Sequence, residues 1–150
     1  MVLEGFSRGG LPIYNWANQY PQRVACLYAD APVCDIRSWP AGKGRGNGSP
    51  DDWARCLDAY QIGEEDVDAF EENPIDLLAP IVKAEIPIIH VCGDADDGVP
   101  IEENTLLLKA RLEELGGAMT LIVKEGVGHH PHSLDPPDDI VEFIMRHAAS

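Results

Sequence analysis

Met1-Val2-Leu3-Glu4-Gly5-Phe6-Ser7-Arg8-Gly9 sets a serine between two glycines directly after a short apolar run. Val2 to Glu4 reads as the end of a strand and Gly9 to Tyr20 as the helix that follows, closed at Tyr20-Pro21 because proline restricts the residue before it. A strand that turns at once into a helix holds Ser7 in a strained conformation whose close neighbours can scarcely carry side chains, and glycine stands on either side. Ser7 is thereby displayed at the C-terminal end of a strand, the edge where open α/β sheets place their sites.

The rest of the chain repeats this alternation. Val24 to Ala29 has the length and apolarity of a strand, and Asp30-Ala31-Pro32 ends it with turn residues. Ile88 to Cys92 is a nearly continuous apolar run, as a parallel strand buried on both faces requires. Glu102 to Leu115 carries apolar residues at helical spacing, Gly116-Gly117 stops it, Met119 to Val123 supplies another strand, and Asp138 to His147 closes as an amphipathic helix. Between Ala31 and about Pro80 the pattern changes to a loop with Gly42, Gly44, Gly46, Gly48 and Pro50, then short helices at Asp52 to Tyr60 and Glu64 to Glu71. The expectation is one α/β domain over residues 1–150, a parallel sheet with flanking helices and a lid-like insert at about 31–80.

Composition narrows the function. With 150 residues and 45% hydrophobic content the chain can bury one core. A formal charge of -15 argues against a nucleic-acid partner and against an anionic membrane surface, since both need a basic stripe. The acidic runs Glu64 to Glu72 and Asp94 to Glu103 read as solvated faces, although the second also carries candidate chemistry. Cys26, Cys34, Cys56 and Cys92 lack C-x-x-C spacing, so no zinc cluster is expected. Buried free thiols are the default, with a Cys34–Cys56 pair open in an exported protein. No leader or membrane span is visible, and any targeting segment would lie upstream, which leaves the compartment open.

A serine hydroxyl needs a base within hydrogen-bond reach and an acid that orients the base. Gly93-Asp94-Ala95-Asp96-Asp97-Gly98-Val99-Pro100 and Gly126-Val127-Gly128-His129-His130-Pro131-His132 each follow an expected strand, so serine, carboxylate and imidazole would share one rim in that chain order. Through these three segments the chain resembles the α/β-hydrolase superfamily, and most the branch of dienelactone hydrolases, acyl esterases and prolyl oligopeptidases, over essentially its whole length. The resemblance implies a domain that starts at the nucleophile elbow without the N-terminal strands. It also implies Ser7 as nucleophile, Asp96 as acid in the G-x-x-D-x-x-V-P phase, and His129 as base, with Asp94 and Asp97 poorer matches. The backbone N–H of Arg8 would be one oxyanion donor, while a second donor, from a loop after an earlier strand, is not in this sequence. Arginine also follows the serine in glucuronoyl esterases; its side chain would stabilise developing charge or form a buried salt bridge with a rim aspartate.

Other residues invite two readings. His130 and His132 would position the loop or substrate. A metal site could draw on His90, Asp94, Asp96, His129, His130 and His132, but no H-E-x-x-H spacing fixes one, so neither metal nor cofactor is expected. Trp39 and Trp53 in the insert are candidates for a substrate pocket, whereas Trp16 is expected to pack in the core. Asn47-Gly48-Ser49 fits a glycosylation sequon weakened by Pro50. The expected activity is hydrolysis of a small-molecule or carbohydrate ester through an acyl-enzyme on Ser7. The alternative is a non-catalytic interaction domain, self-associating through the exposed strand edge at Met1 to Glu4.

Overall fold

The computed structural model describes residues 1–148. Four strands, β1 (Val2–Phe6), β2 (Cys26–Asp30), β3 (Ile88–Gly93) and β4 (Thr120–Lys124), form one sheet in the order β1-β2-β3-β4. All pairs are parallel, with Phe6 beside Asp30, Asp30 beside Val91 and Gly93 beside Lys124. The C-terminal ends of all four strands therefore open on one edge. β1 and β4 are the outer strands.

Helices α1 (Gly10–Gln19), α2 (Pro50–Tyr60), α3 (Ala79–Lys83), α4 (Thr105–Glu114) and α5 (Asp138–Ala148) complete the alternation. Because successive strand residues point to opposite faces, β2 and β3 feed two cores. Leu27, Ala29 and Ile88 pack with Ile13 and Tyr14 of α1, Ile81 of α3, and Leu108 and Leu112 of α4. Cys26, Tyr28, Ile89 and Val91 meet Ile140 and Phe143 of α5 on the other face. The result is an α/β/α sandwich. Among the described residues no helix is long and apolar enough to cross a membrane.

The insert divides into two physical parts. Its first stretch is core rather than cover: Val33, Cys34 and Ile36 are fully buried. This irregular backbone is satisfied by two buried amides, since Asn104 Oδ1 accepts from the Cys34 N–H at 2.8 Å and Asn73 Oδ1 accepts from the Ile36 N–H at 2.9 Å. Buried backbone groups must be paired, and outside a ladder a side-chain amide is one way to do it. Only the later part has the character of a lid. α2 is capped by Ser49 and buries none of its residues fully, and the second expected helix is a 3₁₀ turn at Glu64–Ala69. α4 starts at Thr105 rather than Glu102, because Asn104 turns inward and its amide also donates to Ser38 Oγ and the Pro100 carbonyl.

All four cysteines are free, so the Cys34–Cys56 pair is not formed. Burial pushes the Cys92 thiol up to about 11, which removes it as a nucleophile near neutral pH. His90 lies fully buried, its Nε2 paired with the Tyr14 hydroxyl at 2.7 Å and its Nδ1 with Thr105 Oγ1 at 2.9 Å.

Burial lowers His90 to about 3, whereas an unfolded histidine titrates at about 6.5. As pH falls below the unfolded value, the unfolded chain binds the extra proton first, so stability is lost until the folded imidazole itself titrates. His90 alone contributes a slope of about 1.4 kcal/mol per pH unit in that window. Urea unfolding of a His90→Gln variant, followed from about pH 6 to about pH 4, is expected to show a shallower decline than the unsubstituted protein. Parallel declines would contradict a neutral buried His90.

Candidate active site

The apolar run of β1 ends where Ser7 takes φ 53°, a left-handed conformation rare for serine. A short 3₁₀ turn over Ser7–Gly9 leads into α1. Gly5 is required by sterics, since a Cβ there would sit 2.5 Å from the Gly9 carbonyl oxygen and 2.8 Å from Ile13 Cδ1. Gly9 is different: a Cβ there would meet nothing within 4 Å, so the expectation that both flanking positions exclude side chains holds only for Gly5. The Ser7 carbonyl accepts from the Val33 N–H at 2.8 Å, which ties the turn to the loop after β2.

Two further loops converge on Ser7. Its Oγ lies 2.9 Å from His129 Nε2, and His129 Nδ1 lies 2.7 Å from Asp96 Oδ2. The Asp96 side chain is 1% exposed. Its other oxygen accepts from the Gly98 and Val99 N–H groups at 2.9 and 2.8 Å, so both oxygens are engaged. With the carboxylate as acceptor, the His129 proton sits on Nδ1 and the Nε2 lone pair faces the Ser7 hydroxyl. Asp94 instead accepts from the Gly126 N–H and ties the two loops together. The Asp97 carbonyl receives the Asn47 N–H. The loops approach so closely that a Cβ on Gly93 would lie 2.0 Å from the Val127 carbonyl oxygen.

The end of β2 supplies a residue that sequence reasoning missed. Asp30 is 1% exposed and accepts from His132 Nδ1, the Ser133 N–H and the Tyr28 hydroxyl, each at 2.7 Å. Burial and the Asp30 hydrogen bond push the Tyr28 phenol upward, so it remains a donor. Phe6 stacks on His132 with ring centroids 5.3 Å apart. His132 thus anchors the loop that carries His129, while His130 is exposed. Asp30 reads in the sequence as a turn residue; its place at a strand end was the available signal.

The metal-ligand set considered from sequence does not assemble as a whole. His90 is committed to Tyr14 and Thr105 in the core, Asp94 to Gly126, and Asp96 to His129. The Arg8 guanidinium forms no buried pair with a rim aspartate; it is 72% exposed and stands 3.8 Å from Asp52 of α2.

Beside Arg8, between α1 and α2, opens an apolar cleft of about 740 Å³ with Trp16, Tyr20, Trp39 and Tyr60 in its walls. Trp16 is 38% exposed and lines this cleft rather than packing in the core. Trp53 does not line this cleft, although Trp39 does.

A parallel sheet with a serine turn, an acid loop and a histidine loop on one edge, and a lid-like insert after the second strand, is an α/β-hydrolase fold from its elbow strand onward. Residues 1–149 match the model of the prolyl oligopeptidase family, and the chain belongs to that family. No curated protein matches it significantly. Among solved structures it is similar to an acylaminoacyl peptidase of Pyrococcus horikoshii, with 14% identity and a TM-score of 0.71 over 97% of this chain and 24% of that one. A truncated carbohydrate esterase from gut microbiota gives 20% identity and a TM-score of 0.69 over 98% of this chain and 59% of that one. A puromycin-hydrolyzing peptidase of Mycobacterium tuberculosis gives 14% identity and 0.65 over 86% of this chain, which spans only 18% of that protein.

Asp30→Asn would set an amide N–H against one of the three donors now aimed at the carboxylate, at a cost of about 1–3 kcal/mol. The variant is expected to unfold at lower urea concentration than the unsubstituted protein, with the slope of the transition unchanged. An unchanged midpoint would contradict the anchoring role of Asp30.

Proposed function

We propose that the chain is a serine hydrolase that cleaves a carboxylic ester through an acyl-enzyme on Ser7. The observation that carries this reading is the relay from Ser7 Oγ to His129 Nε2 at 2.9 Å and from His129 Nδ1 to Asp96 Oδ2 at 2.7 Å. His129 takes the Ser7 proton as Oγ attacks the carbonyl carbon, and returns it to the departing alcohol. Asp96 holds the tautomer and stabilises the transient imidazolium; its two backbone N–H donors keep its carboxylate aimed. Water then attacks the acyl carbon with His129 as base, releasing the acid and restoring Ser7. The Arg8 N–H, in the first turn after Ser7, contributes to the oxyanion site.

Family membership supports acyl-transfer chemistry of this type. Proteins of similar fold are named as a carbohydrate esterase and a ferulic acid esterase as well as peptidases, so a polar ester is the preferred substrate and an amide the second choice. The apolar cleft next to Arg8 is placed to take one side of such a substrate, with Trp39 in its wall. Wide parts of the similar proteins have no counterpart in this chain, and the test is made on the chain itself.

A fluorophosphonate probe is expected to label Ser7, and Ser7→Ala to abolish the label. Asp96→Asn is expected to keep the fold and reduce p-nitrophenyl ester turnover by about 10⁴-fold, because the imidazole then adopts the wrong tautomer. Well-folded protein that neither labels nor turns over ester would support a non-catalytic interaction domain. A loss confined to an Asp94 variant would move the acid.

A further inference from the structure

His129, His130 and His132 each present a ring nitrogen, and these nitrogens all lie within 4.8 Å of one another. Their ring centroids are 4.7 to 5.2 Å apart. Two of the three rings are already set as metal ligands. His129 and His132 each give Nδ1 to a buried carboxylate, Asp96 and Asp30, at 2.7 Å. A carboxylate held on Nδ1 fixes the ring orientation of a ligating histidine and leaves Nε2 to face a metal.

We infer that these three histidines bind a divalent transition-metal ion of the zinc class, and that the bound ion switches the Ser7 centre off. Zinc–imidazole bonds of about 2.0–2.1 Å in a tetrahedral site put ligand nitrogens about 3.4 Å apart, so the present cluster needs a closure of up to about 1.4 Å. His130 is exposed, and among the described residues its ring forms no hydrogen bond, so it can move toward the other two. Three neutral imidazoles select zinc, copper or nickel over magnesium or calcium, and a fourth position remains for water. The Lys124 ammonium nearby is engaged with the Pro131 and Ser133 carbonyls. A formal charge of -15 draws cations to the protein.

The inhibition follows from valence. Nε2 of His129 has one lone pair, which either accepts the Ser7 hydroxyl or binds the metal. Coordination breaks only that hydrogen bond; the proton stays on Ser7, no redox step occurs, and the hydroxyl loses its base. This half of the inference rests on the Ser7 reading above, whereas metal binding does not.

The test uses the whole chain after dialysis against a chelator. Calorimetry with zinc chloride, and the visible absorption of cobalt(II) as a geometry-sensitive substitute, are expected to report one ion per chain. His130→Ala is expected to weaken binding by about tenfold or more. Zinc should slow fluorophosphonate labelling of Ser7 relative to each protein's own metal-free rate, with the His130→Ala curve displaced to higher zinc and chelator restoring the label. Equal zinc affinity in both proteins would overturn the site. Binding that depends on His130 with undiminished labelling would overturn the switch. Failure of the metal-free protein to label would count against the Ser7 reading alone, and calorimetry would still decide the metal site.

Discussion

Parallel pairing of β1 to β4 is the constraint from which the rest follows. Parallel strands cannot be joined by tight turns, so each must be followed by a crossover segment that carries the chain back. The crossovers bury both faces of β2 and β3, which explains why their residues are apolar in succession rather than alternately. The same geometry sends all four C-terminal ends to one edge. Residues 122 positions apart, Ser7 and His129, meet there without any local sequence relation.

At that edge the chain uses one device twice. Asp96 and Asp30 are carboxylates removed from water, a costly arrangement for an unpaired charge. Each is compensated by three hydrogen bonds, including one from an imidazole and at least one from a backbone N–H. Asp96 orients His129 toward Ser7, and Asp30 holds His132 and with it the loop between them. The Gly126 N–H donates to Asp94 and so joins the loop that carries Asp96 to the loop that carries both histidines. On the proposed reading, preorganisation of this kind allows proton transfer without rearrangement.

Much of the architecture was legible before the structure. Each expected strand appears within about two residues, because long apolar runs bounded by glycine or proline leave few alternatives. The juxtaposition of Ser7, Asp96 and His129 was also legible, because three strand ends in alternating order must share a rim. What misled were features set by neighbours remote in sequence. Trp16 looked like a core residue on an apolar helix face, but α1 turns it toward an open cleft. Arg8 looked set for a buried pair, yet α2 lies where Asp52 meets it in solvent. The stretch from Ala31 to Ile36 looked like lid and is core, because Asn73 and Asn104 supply the hydrogen bonds a ladder would have given.

The sequence by itself determined the alternation of strands and helices, the strained turn at Ser7 and the chain order of serine, acid and histidine. These are local properties, governed by apolar periodicity, glycine placement and turn chemistry. Tertiary structure alone decided that Asp30 anchors His132 and that three histidines converge on one point. Those choices depend on distances between loops, and such distances arise only when the sheet register and the buried hydrogen bonds of Asn73 and Asn104 fix how the loops pack.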